Sequence, residues 1–113
     1  CFKDGDNLEV IKKMIDKIIH LRIMDDENGV MNKNILDTQG SILSISQFTL
    51  YADTLKGNRP SYNKALNGKE ASNLYQIFNE ELAKYLPVAT GMFGEDMTID
   101  VRMNGPVTIC LER

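Results

Sequence analysis

Few side chains in this chain are equipped for acid–base or nucleophilic work, and their spacing narrows the chemistry further. His20 is the only histidine, so a Ser-His-Asp or Cys-His system has a single available base. It falls at the end of a helical pattern, where an imidazole caps carbonyls and favours the dipole. Cys1 and Cys110 stand at opposite ends of the chain, and with one histidine they cannot assemble a zinc set. No Gly-rich phosphate loop opens a helix, which argues against nucleotide hydrolysis. What remains is Ser44-Ile45-Ser46-Gln47-Phe48-Thr49-Leu50, an apolar run that delivers three polar side chains where it ends. Thr49 is its obvious hydroxyl. No base neighbours it in sequence, so on the residues alone it is a weak nucleophile.

A second stretch, Asn104-Gly105-Pro106-Val107-Thr108, lies between two alternating apolar runs. Proline cannot donate a ladder hydrogen bond and is kept out of sheet interiors. The pair therefore marks either a shaped backbone, such as a cis peptide where a substrate approaches closely, or a simple hairpin turn, for which Asn-Gly is itself a strong signal. Taken in isolation it reads as the turn. From Thr54 to Lys69 the chain carries Lys56, Arg59, Lys64 and Lys69 and no acid. Gly57, Pro60 and Gly68 mark this as loop. Such a loop can hold phosphates of a single-stranded RNA end, with Tyr62 offering a ring for stacking; the alternative is a loop kept soluble by its lysines. Asp25-Asp26-Glu27 and Glu80-Glu81 read as plain acidic surface.

The elements that must position these residues are of α+β type. Asp6 or Asn7 can cap a helix running to about His20, with Leu8, Ile11, Ile15 and Ile18 on one face. Leu21 to Met24 reads as a strand, and Asp25 to Gly29 as a turn. Ser41 to Leu50 reads as a buried strand, because its apolar residues are dense. A second helix is expected from about Lys69 to Leu86, stopped by Pro87, with Ala71, Leu74, Tyr75, Phe78, Leu82 and Tyr85 as its core stripe. Val88 to Phe93, Met97 to Met103 and Val107 to Leu111 read as three further strands. In the second of these, Met97, Ile99, Val101 and Met103 alternate with polar residues, so one face is dry. Cys110 then reads as a small core residue.

At 113 residues the chain is one domain with a single core. A hydrophobic content of 42% and a charged content of 26% are ordinary for a soluble globular chain. No apolar run approaches the roughly 20 residues that span a bilayer, and no signal-peptide pattern opens the chain. The cysteines form no disulfide framework, which favours a reducing cytosolic setting. A net charge of −3 excludes a protein that coats nucleic acid indiscriminately.

Taken together, Ser46-Gln47-Phe48-Thr49-Leu50 and Asn104-Gly105-Pro106-Val107-Thr108 resemble the two signature motifs of the D-aminoacyl-tRNA deacylase (D-tyrosyl-tRNA deacylase) family. Further blocks match in the same order: Leu21-Arg22-Ile23 with Gly29-Val30-Met31-Asn32, Ala52-Asp53 with Gly57-Asn58-Arg59-Pro60-Ser61, and Gly91-Met92-Phe93-Gly94 with Met97. Met24 stands where the family commonly has an aromatic residue, and Val30 where it often has lysine. The resemblance covers essentially all residues, yet the family's usual N-terminal strands and the turn between them are absent ahead of Cys1. The expectation is therefore a single domain over 1–113 that corresponds to the C-terminal three quarters of the family's domain. The implied fold is a mixed β-sheet, barrel-like core with two main helices.

The resemblance implies hydrolysis of the ester of D-aminoacyl-tRNA, with glycyl-tRNA as a further substrate, in the cytoplasm and without a cofactor or metal. The poverty of catalytic side chains agrees with that chemistry, since an aminoacyl ester beside a ribose hydroxyl needs positioning and oxyanion stabilisation more than a strong nucleophile. In this family the substrate's 2′-hydroxyl is thought to assist the attacking water. Phe48 and Thr49 would present backbone amides to the carbonyl oxygen, with Ser46 and Gln47 shaping the same wall; direct attack by the Thr49 hydroxyl is the rival version. Gly105 and Pro106, in the cis form and contributed by the second subunit of a homodimer, would reject L-aminoacyl groups, with Val107 and Thr108 completing the motif. Phe93, Gly94 and Met97 match the positions that enclose the terminal adenosine, and core packing is their other reading. Arg59 would contact the RNA end. Two other classes stay open: a non-catalytic fragment that binds tRNA or a partner polypeptide, and a general esterase with Thr49 as nucleophile.

Overall fold

The first helix is set by its cap. In the computed structural model, which describes all 113 residues, Asn7 Oδ1 accepts the backbone N–H groups of Glu9 at 2.9 Å and Val10 at 3.2 Å. These are two of the donors that a helix start leaves orphaned. Helix α1 then runs over Leu8–His20, and Ile11, Ile15 and Ile19 turn inward and are buried. The expected stripe is thus rotated. Leu8, in the first turn with nothing packed over it, is exposed, and Ile18 is only half-buried at the edge of a cavity while Ile19 takes the innermost place. At the far end His20 Nδ1 lies 2.9 Å from the Asp16 carbonyl oxygen. A carbonyl only accepts, so Nδ1 carries the proton and the ring caps the helix as expected.

Asn67 caps the second helix in the same manner, its side-chain oxygen accepting Glu70 N–H at 3.2 Å. Helix α2 covers Gly68–Leu82, ending four residues short of the expected Leu86. Beyond it the chain tightens into single turns, with Lys84 N–H bonded to Glu81 O and Tyr85 N–H to Leu82 O, because Pro87 disfavours helical backbone just ahead of it. Tyr85 leaves the stripe and is exposed, whereas Leu86 packs inward. The core forms where α1 and α2 meet: Ile11, Ile15, Ile19, Ile35, Leu82 and Leu86, with Phe78, Leu74 and Ile42 packed against them. Leu82 is fully buried, so truncating it to alanine costs about 2–5 kcal/mol.

Two short sheets flank this pair. Strand β1 (Met24–Asp25) pairs antiparallel with β2 (Met31–Lys33) across a tight turn. Asp26, expected to be plain surface, organises that turn by accepting the N–H groups of Asn28 and Val30 and the Asn32 side-chain amide. Those bonds hold its carboxyl below the usual carboxylate range. Strand β3 (Ile42–Ser44) pairs in parallel with β4 (Val88–Thr90), in the register Ile42 to Val88 and Ser44 to Thr90, with α2 as the crossover. Parallel neighbours need such a connection. The buried strand expected over Ser41 to Leu50 is therefore short, because after Ser44 the chain leaves the ladder and Phe48–Tyr51 forms a one-turn 3-10 helix.

The α+β class and the two main helices stand. The C-terminal strands do not. Met97 to Met103 and Val107 to Leu111 belong to no sheet, and from Asp96 to Arg113 the backbone makes no backbone–backbone hydrogen bond. Ile99, Val101, Met103, Val107 and Ile109 are exposed. Cys110 is exposed as well, which corrects its reading as a core residue: without an adjacent strand this segment has no covered face on which to bury it. A salt bridge between Lys3 and Glu112, at 3.1 Å, ties the segment's end to the start of the chain.

Candidate active site

The end of β3 is anchored by one carbonyl. Ser44 O accepts Tyr75 Oη–H at 2.7 Å in a buried bond, and Gly91 N–H at 3.0 Å. Both lone pairs are thus engaged, one from α2 and one from the chain just after β4. This fixes the point from which Ile45, Ser46, Gln47 and Phe48 depart. Gly91 lies close under two side chains: a Cβ there would lie 2.7 Å from Met97 Sδ and 2.9 Å from Ile45 Cδ1, and both would have to shift. That close approach draws the Phe93–Met97 stretch over the end of the strand.

Between these segments lies a cleft of about 570 Å³. Ser46, Gln47 and Phe48 line one side, and Phe93, Gly94 and Met97 another. Tyr62, Ala65 and Leu66, from the loop before α2, close the third side. Tyr62 meets Phe48 edge to face, with ring centroids 4.9 Å apart, a favourable arrangement for two quadrupoles. Its ring thus braces the cleft wall, where the sequence suggested a free stacking surface. Phe93 leans on Tyr75 at 5.9 Å.

Six of the expected site residues come together here, and the others do not. Thr49 follows immediately, in the 3-10 turn, and its hydroxyl receives the Gln47 side-chain amide at 2.6 Å. No imidazole or carboxylate bonds to it, and His20 lies elsewhere, beside Lys17 and Arg22. Gly105, Pro106, Val107, Thr108 and Arg59 are exposed and are not among the cleft-lining residues of this chain. The Gly105-Pro106 peptide is cis, and Gly105 has φ +129°, so the hairpin-turn reading is corrected to a shaped backbone.

The backbone N–H groups of Phe48 and Thr49 make no hydrogen bond within the chain. They are the first donors of the 3-10 turn, which the turn itself leaves unsatisfied. Two adjacent free donors beside a cleft suit an oxygen that gains negative charge during a reaction. The charged residues lining the cleft are Glu95 and Asp96. None of the cations of the neighbouring loop lines the cleft, and one is already engaged: Lys64 Nζ lies 3.4 Å from Asp53 Oδ2. Asp53 also exchanges both backbone hydrogen bonds with Ser61 and accepts Leu55 N–H. The loop is a tied structure.

Sequence reasoning did not single out Tyr75 or Gly91. Tyr75 was visible only as one position in an apolar stripe, and nothing in that pattern shows that its hydroxyl finds a strand carbonyl. Gly91 stood in a matching block, but the crowding around it depends on Met97, a contact between separate segments.

Comparison with known proteins identifies the family. A family profile described as D-Tyr-tRNA(Tyr) deacylase matches residues 1–112. A D-aminoacyl-tRNA deacylase of Limosilactobacillus reuteri (strain DSM 20016) is 49% identical over 113 residues, which is 99% of this chain and 78% of that relative. The solved structure of a c-Myc DNA Unwinding Element Binding Protein superposes with a TM-score of 0.91 at 38% identity, covering 99% of this chain and 77% of that one. With the profile running through the helices, the cleft and the Gly-Pro motif alike, the chain belongs to the D-Tyr-tRNA(Tyr) deacylase family.

Proposed function

We propose that this chain hydrolyses the ester linking a D-amino acid, or glycine, to the 3′-terminal ribose of tRNA, releasing the free amino acid and tRNA. The observation that carries the reading is the pair of unengaged N–H groups on Phe48 and Thr49 beside the cleft. Water adds to the acyl carbon, the carbonyl oxygen takes the developing charge against those two donors, and the ester C–O bond breaks as the ribose oxygen recovers a proton. The vicinal 2′-hydroxyl of the substrate assists the water; the cleft's carboxylates, Glu95 and Asp96, bond to neither Gln47 nor Thr49. Ser46 and Gln47 orient the wall, and Phe93, Gly94 and Met97 enclose the terminal adenosine. Thr49, whose hydroxyl is occupied by Gln47, positions rather than attacks.

Chiral selection falls to Gly105-Pro106 of a second copy in a homodimer, with Val107 and Thr108 beside it. That it does not line the cleft of its own chain supports that arrangement. A backbone wall near the α-carbon rejects by clash, so it acts against the L side chain and is indifferent to which D side chain is present. The exposed cations Lys56, Arg59 and Lys69, from the acid-free stretch 54–69, hold phosphates of the 3′ end. No helix is long and apolar enough to cross a membrane, and charged tRNA as substrate locates the activity in the cytoplasm.

The test is deacylation of matched D-tyrosyl- and L-tyrosyl-tRNA. Loss of the D ester alone supports the reading, and loss of neither favours a non-catalytic tRNA- or partner-binding role, to which the unpaired C-terminal segment would lend itself. Thr49→Ala should retain activity within about tenfold, because it removes one positioning hydrogen bond of about 0.5–1.5 kcal/mol; complete loss in a folded variant would instead support the threonine-nucleophile esterase. A 2′-deoxy terminal adenosine hydrolysed at the normal rate would remove the substrate's hydroxyl from the mechanism.

A further inference from the structure

The cleft accounts for the 3′ end of a tRNA but leaves a separate group of cations unexplained. Lys13, Lys17, His20 and Arg22 surround a shallow depression at the C-terminal end of α1, with Arg113 at its rim and Asp16 as the acid among its lining. Their partners divide them. Lys13 Nζ is held by Glu9 at 2.7 Å and His20 by Asp16 at 3.1 Å. Lys17 makes no ion pair, and Arg22 uses only Nε, on Asn32 O at 2.8 Å, which leaves its two terminal nitrogens without a hydrogen bond within the chain. Cations in a last helical turn complement the dipole, and that need explains Lys17 and His20. Arg22 lies beyond the helix, and complementing the dipole does not require it. In a chain of net charge −3, this is a local reversal of sign.

Position matters as much as charge. Phe2, just ahead of α1, lines the cleft, while Lys17 and Arg22 lie at the helix's opposite end. From Leu8, where α1 begins, the rise along the axis is roughly 14 Å to Lys17 and roughly 18 Å to the helix's end, ahead of Arg22. A single-stranded tail of a few nucleotides spans such a distance. We propose that Lys17 and Arg22 form a second RNA contact, taking backbone phosphates of the tRNA's duplex acceptor stem while the 3′ tail lies in the cleft. The proposal rests on the tRNA reading above. Arg22 offers a planar fork to one phosphate and Lys17 a point charge to a neighbour, so the contact reads shape and charge, not sequence.

The test measures binding of uncharged tRNA against salt, together with deacylation of full-length D-tyrosyl-tRNA and of D-tyrosyl-adenosine, by the parent, Lys17→Gln, Arg22→Gln, Arg22→Lys and the double Gln variant. The double variant should lower the log–log salt slope by about 2 and raise KM for full-length tRNA several-fold, with hydrolysis of D-tyrosyl-adenosine unchanged. Arg22→Lys, which keeps the charge and gives up the Asn32 bond, should retain most of the slope. An unchanged slope, an equal loss on both substrates, or Arg22→Lys behaving as Arg22→Gln would overturn the proposal. If the parent hydrolyses neither ester, the esterase reading fails, and the salt slope of tRNA binding still decides this one. Melting curves on the same samples exclude unfolding as the cause.

Discussion

Replacing Tyr75 with phenylalanine removes one atom from the best-defined contact behind the cleft. The ring stays, with its place against Phe93 and in the α2 stripe, and only the 2.7 Å bond from Oη to Ser44 O is lost. A typical intramolecular hydrogen bond contributes about 0.5–1.5 kcal/mol net, whereas an orphaned buried carbonyl would cost about 1–3. Ser44 O keeps Gly91 N–H at 3.0 Å, so the orphan penalty does not apply and the expected loss is about 1 kcal/mol. For a domain of this size that lowers Tm by roughly 4 °C. Tyr75→Ala removes the ring as well and should cost about 3–5 kcal/mol. The assay is urea and thermal unfolding of the three proteins, with amide exchange at Gly91 as a local probe. Two results would refute the reasoning: a Tyr75→Phe variant as stable as the parent, or one as unstable as Tyr75→Ala.

Other perturbations follow from the same contacts. Gly91→Ala forces Met97 and Ile45 aside and should cost about 1–3 kcal/mol while raising KM for D-aminoacyl-tRNA; an unchanged KM would separate Gly91 from the cleft. Asn7→Ala leaves two N–H groups of α1 uncapped and should lose about 1 kcal/mol in urea unfolding. The carboxyl of Asp53 is held low by the Leu55 N–H first and by Lys64 second. Its contribution to stability is present above the unfolded value of 3.8 and is lost as pH falls below that value through the lower folded one. Amide exchange at Ser61 should therefore accelerate on acidification below this range, and Asp53→Asn should abolish that acceleration.

Local signals carried the helices. An Asn before a run of isoleucines every fourth residue places the start of α1, and the Ala71–Leu82 stripe marks α2, because a cap and a 3.6-residue period involve only near neighbours. The order of the short motifs was legible too, and the fold brings Ser46, Gln47 and Phe48 to the same cleft as Phe93, Gly94 and Met97. The apolar stripe on α1 was read correctly at Ile11 and Ile15 and misplaced at its ends, Leu8 and Ile18, because the edge of a helical face is decided by what packs over it.

The alternation of Met97, Ile99, Val101 and Met103 is a different kind of signal. A period of two states which side chains share a face, but a strand exists only when a second backbone supplies its hydrogen bonds. Within this chain none reaches Met97 to Leu111, so Met97 to Cys110 stay exposed and only Leu111 is half-buried. Composition and spacing alone thus determined the class, the two helices, the scarcity of acid–base groups and the motif order. Tertiary structure decided that Ser44 O is gripped from two sides, that Tyr62 braces Phe48, and that Gly105-Pro106 does not line its own chain's cleft. These facts depend on residues far apart in sequence meeting in space, which no local period or propensity encodes.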